Sequence, residues 1–117
     1  MPRLNPEKVL LQAHARISSA RKDLAAMDYL CSGTLQKRMM KCGKATCRCQ
    51  KDPAARHGPY YEWGHMKDGK LAHRYVSPEQ AEVLQRAIAN YRRVKKLLCT
   101  WETQTERVLD AKYPRKR

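Results

Sequence analysis

Three of the five cysteines, Cys42, Cys47 and Cys49, fall within eight positions in a C-x4-C-x-C pattern, and His57 follows eight residues after the last. Thiolate sulfur and imidazole nitrogen are donors that Zn²⁺ takes in closed four-coordinate sites, at about 2.3 and 2.0 Å. Ligands so close in sequence need tight chain reversals between them. Gly43 lacks a Cβ and is suited to one. Asp52-Pro53 then turns the chain so that His57-Gly58-Pro59 comes back towards the cysteines. Cys42, Cys47, Cys49 and His57 therefore form a candidate Cys3His centre for a structural Zn²⁺, since four protein ligands leave no open position for chemistry. His65 and His73 are the alternative fourth ligands. His57 is preferred because it is nearest in sequence and on a loop, whereas His14 falls in an expected helix far from the cluster. The spacing lacks the C-x2-C pairs of the best-marked zinc motifs. Two rival readings are reduced thiols without metal and a redox C-x-C, the latter disfavoured because no βαβ pattern surrounds it.

Composition explains why a staple would be needed. A chain of 117 residues without a single Phe builds one domain with a modest core. Many of its apolar residues lie in two helical stretches, leaving the middle little from which to make a core of its own. Small folds in that position lean on a metal. The cysteine count is odd, and neither a secretory h-region nor a run of 18 apolar residues occurs, so a cytoplasmic protein is expected. In a reducing compartment clustered cysteines bind metal more often than they form disulfides.

The net charge is +14, from 25 basic and 11 acidic residues. Residues 1–33 carry +2, residues 34–76 carry +7 and residues 77–117 carry +5, so the excess centres on the Cys-rich middle and the end of the chain. Such an excess favours polyanionic partners. An anionic membrane is not expected, because no stretch joins a polybasic face to exposed bulky apolar residues.

The elements that must carry these residues can be read in order. Asn5-Pro6-Glu7 is a helix start. Leu10, Ala13, Ile17, Ala20, Leu24, Met27 and Cys31 then alternate at spacings of three and four, an a/d seam that Ser32-Gly33 would end. Thr34 to Lys41 is a candidate first strand. Pro59 to His65 is an aromatic-rich second strand, and Leu71 to Val76 a third, joined to it by the Asp68-Gly69 hairpin signal. Ser77-Pro78-Glu79-Gln80 has the form of a capping box. The helix it opens has a seam of Leu84, Ala87, Tyr91, Val94, Leu98, Trp101, Thr105 and Val108, widened by Ile88 and Leu97.

The expected fold is α+β. Two long antiparallel helices, a helical hairpin or coiled-coil-like pair, flank a small three-stranded antiparallel sheet with a zinc-binding loop. A single domain 1–117 would divide into a helix over 6–32, a β-module over 34–76, a helix over 77–112 and a basic tail over 113–117. In the simplest register Leu24 lies near Ala87, Ile17 near Val94 and Leu10 near Trp101. The same seams could pair between two chains, so monomer and homodimer both stand.

For nucleic acid, the candidate contacts are Lys37, Arg38, Lys41, Lys44, Arg48, Lys51, Arg56 and Arg74, with Tyr60 and Tyr75 among them. Arg92, Arg93 and Lys96 add a basic cluster on the second helix. Cations beside flat aromatics suit single-stranded or distorted nucleic acid, where charge and stacking act together. Tyr61 and Trp63 share a strand face and are expected in the core instead.

These residues also carry a resemblance. C-G-K-x-x-C-x-C at Cys42 to Cys49, H-G-P-Y-Y at His57 to Tyr61, D-G-K…R-Y-V at Asp68 to Val76, and N-Y-R-R at Asn90 to Arg93 resemble a family of small uncharacterised bacterial proteins. Members are often encoded near transposases, recombinases and other mobile-element genes. The shared pattern spans roughly residues 34–97, with the first helix outside it. The resemblance implies a DNA-associated accessory role. No paired carboxylates, nucleophile–base pair or phosphate-cradling glycine loop occurs, so an enzyme is not expected. The reading is a zinc-containing accessory protein that binds nucleic acid, DNA before RNA, in a mobile element or phage. The alternatives are a small subunit or inhibitor of a larger nucleoprotein complex, and an RNA-binding protein.

Overall fold

The computed structural model describes residues 5–114; of the expected basic tail over 113–117, residues 115–117 lie outside the described residues. Two helices flank a three-stranded antiparallel sheet in chain order: α1 (Pro6–Ala25), β1 (Thr34–Met40), β2 (His57–Lys67), β3 (Lys70–Val76) and α2 (Pro78–Lys112). Two compact units result. A sheet unit spans Tyr29–Asn90, and a helical unit draws on the chain up to Asp28 and from Tyr91 onward. Among the described residues, no helix is long and apolar enough to cross a membrane.

In the sheet unit, β2 is the central strand, with β1 and β3 antiparallel to it. Asp68 (φ 53°) and Gly69 (φ 76°) make the β2–β3 turn, the two left-handed residues that an Asp-Gly hairpin needs. Alternation along the strands puts Leu35, Tyr61, Trp63 and Val76 on one face, packed with Cys31 against Ala81 and Leu84 of α2. The Trp63 indole N–H donates to the Ser32 carbonyl at 3.0 Å, so this large core side chain has its polar atom satisfied. The start of α2 is fixed reciprocally: the Gln80 N–H donates to Ser77 Oγ (3.1 Å), and Gln80 Oε1 accepts from the Ser77 N–H (2.9 Å).

In the helical unit, Asn5 Oδ1 accepts from the Glu7 N–H at 3.0 Å and caps α1. Ala13 and Ala20 are its buried seam positions, flanked by half-buried Leu10, Ile17 and Leu24 as the periodicity predicts.

Three expectations need correction. First, α1 stops at Ala25 instead of running on to Ser32. The following segment is drawn along α2: the Cys31 N–H donates to the Ala87 carbonyl (3.3 Å), and the Asn90 side chain donates to the Tyr29 carbonyl (2.9 Å). Cys31 is still a part-buried hydrophobe. Gly33 (φ 112°) is the entry to β1, not a helix cap, and a Cβ there would strike the Gly64 carbonyl oxygen.

Second, the helix register is offset. Asp23 pairs with Arg93 at 2.8 Å and Gln12 with Arg107 at 3.4 Å, roughly two turns along α2 from the register that set Leu24 by Ala87. Third, beyond Tyr91 the buried stripe of α2 runs through Val94, Leu97, Trp101, Gln104 and Val108. Leu98 is 46% exposed and Thr105 is exposed, while Gln104 is buried with its oxygen accepting from Arg107 at 2.8 Å. Both stripes have heptad spacing, so periodicity alone does not separate them.

Candidate metal centre

The loop between β1 and β2 brings Cys42, Cys47 and Cys49 to His57, which is the first residue of β2 and not, as expected, a loop residue. One donor atom each from Cys42, Cys47, Cys49 and His57 lies within 4.8 Å of the others. The Cys42 and Cys49 sulfurs are 3.5 Å apart, and Cys47 Sγ lies 3.3 Å from His57 Nε2. Two thiolates held about 2.3 Å from one tetrahedral ion would stand about 3.8 Å apart, so the cluster is already close to coordinating dimensions. All five cysteines are free.

Local backbone bonds bring the donors together. The Cys47 N–H donates to the Lys44 carbonyl (3.2 Å), reversing the chain after Cys42. A 3₁₀ turn, Arg48–Gln50, sets Cys49 inward, where it is 1% exposed. Asp52 Oδ1 accepts from the Ala54 N–H (3.0 Å) to open a second turn, Pro53–Ala55, that leads to His57. Gly43, expected to make the reversal, lies outside the left-handed region, and a Cβ there would meet open space. The Lys44–Cys47 turn does that work instead.

Gln50 was not singled out by its sequence context, yet it ties the loop. Its Nε2 donates to the carbonyls of Cys42 (2.7 Å) and Lys44 (3.2 Å). A side-chain amide beside the last cysteine is the one signal that marks it.

The sulfurs differ electrostatically. The Cys49 N–H aimed at Cys47 Sγ, then His57 and the neighbouring thiols, hold the Cys47 thiol down to about 6. At Cys49 the Cys42 N–H, donated at 3.3 Å, favours the thiolate, but burial and the adjacent Cys47 and Cys42 sulfurs outweigh it and push the thiol up. Cys47 is thus the readier thiolate of the two. His65 and His73, the alternative ligands, are engaged in the sheet. His65 stacks on Trp63 (3.6 Å between centroids), and His73 Nδ1 meets Glu62 at 3.0 Å.

The proposed contact residues are all exposed, but those of the sheet unit do not share one face. Lys41, Lys44, Arg48, Lys51 and Arg56 belong to the metal loop, where Arg48 pairs with Asp52 (3.3 Å). Arg38, Tyr60 and Tyr75 share the open face of the sheet. Lys37 and Arg74 are on the opposite face, Arg74 lying 5.7 Å over the Trp63 ring. Arg92, Arg93 and Lys96 are on α2 in the helical unit, where Arg93 is taken up by Asp23.

No curated protein and no solved structure matches the chain. One family model does match, and its span takes in most of α1, which had been expected outside the shared pattern, and stops before Asn90-Tyr91-Arg92-Arg93. That model, the DUF6788 domain of unknown function, covers residues 10–86, more than half of the chain, and the protein belongs to this family.

Proposed function

We propose that the chain is a zinc-stapled, strongly basic nucleic-acid-binding accessory protein without catalysis of its own, favouring DNA and serving a mobile element or phage. The observation that carries the reading is the composition of the metal loop. Between residues 41 and 57 it holds five lysines and arginines against one acid, all five cations exposed around a closed Cys3His cluster. A loop of that kind is a rigid cationic knob, and rigid cations recover phosphate contacts at less entropic cost than mobile ones.

Three cysteine sulfurs and an imidazole within 4.8 Å of one another are a donor set that suits Zn²⁺, and four protein ligands would leave no open position, which fits a structural role. The resemblance to proteins encoded beside transposases and recombinases supplies the mobile-element setting.

The test is an anisotropy titration of the metal-loaded protein against DNA at several salt concentrations. The expected result is binding that survives about 150 mM salt, with a log–log slope reporting several phosphate contacts. Arg56→Glu should weaken binding and flatten that slope. Loss of all binding at that salt would instead favour a subunit that meets nucleic acid only within a larger assembly.

A further inference from the structure

We infer that the open face of the sheet is a stacking platform for unpaired nucleotides, so that the preferred ligand is a single strand; this rests on the nucleic-acid reading above. Strand alternation separates the two faces of the sheet. One is spent on the core. The register places Gln36, Arg38, Tyr60, Glu62, His73 and Tyr75 on the other. Tyr60 and Tyr75 are 44% and 57% exposed there, with ring centroids 6.2 Å apart at 67°. Tyr75 donates its hydroxyl to Met40 Sδ (3.6 Å), which fixes the ring while leaving it open to solvent. A chain with no Phe and a small core leaves these two rings uncovered, though each could bury a large apolar area.

The platform adjoins the metal loop. Met40 pairs with His57, Arg38 with Tyr60 and Glu62 with Tyr75, so β2 and β3 carry the rings at the end of the sheet where the loop cations emerge. The acid on this face, Glu62, is held between Arg38 (3.7 Å) and His73 (3.0 Å) and does not oppose a phosphate chain uncompensated. Duplex bases hide their π-faces in the stack, so exposed tyrosines gain little from a duplex. Unpaired bases stack on them whatever their sequence, at roughly tenfold in affinity for each ring.

The experiment compares metal-loaded full-length protein on fluorescein-labelled oligo-dT, oligo-rU of the same length and a matched DNA duplex at about 150 mM salt. The native chain is expected to bind at least one single strand about tenfold or more tighter than the duplex, and the dT and rU arms identify the sugar. Tyr60→Ala and Tyr75→Ala should each cost about tenfold on the single strand and leave duplex binding unchanged, while Tyr75→Phe retains affinity. Equal or tighter duplex binding by the native chain overturns the inference, as does unchanged single-strand affinity in both alanine variants. If those variants lose their metal or fold, the ratio measured on the native chain decides alone. Absence of binding to all three probes defeats the nucleic-acid reading itself, a different result from binding without strand preference.

Discussion

Among the described residues of the helical unit the buried side chains are Ala13, Ala20 and Gln104, two of them among the smallest a helix seam can use. In the sheet unit they include Val76, Leu84 and Ile88, with Cys49 in the metal loop. The first unit is a long local ladder of i→i−4 bonds with a thin seam, whose fraying at one place leaves the rest standing. The second closes over non-local pairings, β1 to β2 and β2 to β3, and a 16-residue loop between two of its strands. A sheet of that size is marginal alone, and what is missing from its core has to come from a few concentrated fixtures. Damage should therefore be graded in the helical unit and abrupt in the sheet unit.

Metal removal is the severest way to break that contrast. Because the cluster is assembled only in the folded chain, ion binding is folding free energy. Chelation, or Cys49→Ser, should release amide exchange protection across β1, β2 and β3 and lower the melting temperature of that unit by about 15 °C or more, equivalent to at least about 3 kcal/mol. Exchange in α1 should change little. A sheet that stays protected without metal would show that Gln50 and the loop turns suffice. The same cluster sets a pH signature. While the loop is folded, the Cys47 thiol, held near 6, is a thiolate at pH 7, where an ordinary thiol is protonated. Since its thiolate form is favoured above that value and lost below it, metal affinity should fall steeply as the pH drops through 6. A Zn²⁺ affinity that stays flat between about pH 7 and pH 5 would contradict this.

Trp63 is the other concentrated fixture. It packs against the Val76, Ala81 and Leu84 cluster, stacks with His65 and donates to Ser32. Trp63→Ala should cost about 3–5 kcal/mol in the sheet unit. Trp63→Phe should recover most of the packing but leave the Ser32 carbonyl without its donor, at about 1 kcal/mol. Equal losses in both units would mean that they melt together and that the contrast drawn above is wrong.

What could be read from the sequence follows the same division. The Asn5 cap, the Ser77–Gln80 capping box, the Asp68-Gly69 turn and the Cys3His set are written in residues a few positions apart, and each has the structure its spacing implies. The end of α1 was not legible, because Cys31 continues the periodicity and the bonds that hold this segment, Cys31 to Ala87 and Asn90 to Tyr29, are made with residues far along the chain. Nor was the division of the basic residues. Arg74 and Tyr75 are neighbours in sequence, and strand alternation itself sends them to opposite faces once the core face is known. Gln50 carries no periodic or motif signal, and its role appears only where its amide meets two carbonyls.

The phase of the α2 seam is the subtlest of these, and the smallest effect that still discriminates. Leu97 and Leu98 are adjacent, and a three–four alternation accommodates either one. With Leu98, the seam continues through Thr105; with Leu97, it continues through Gln104, which is 6% exposed. Burying an amide looks the poorer choice, and the arrangement is tolerable because Arg107 donates to its oxygen. The observed phase therefore makes opposite predictions for neighbouring leucines. Leu97→Ala should cost about 1–2 kcal/mol in the melting of the helical unit, since the side chain is half-buried, whereas Leu98→Ala should stay within about 0.5 kcal/mol. Gln104→Leu should be neutral or stabilising by up to about 1 kcal/mol, because it fills the same space without a polar group to satisfy. If Leu98→Ala were the costly one and Gln104→Leu had no effect, the stripe facing α1 would be the one with Thr105, and the Asp23–Arg93 and Gln12–Arg107 pairs would have to be broken to reach it.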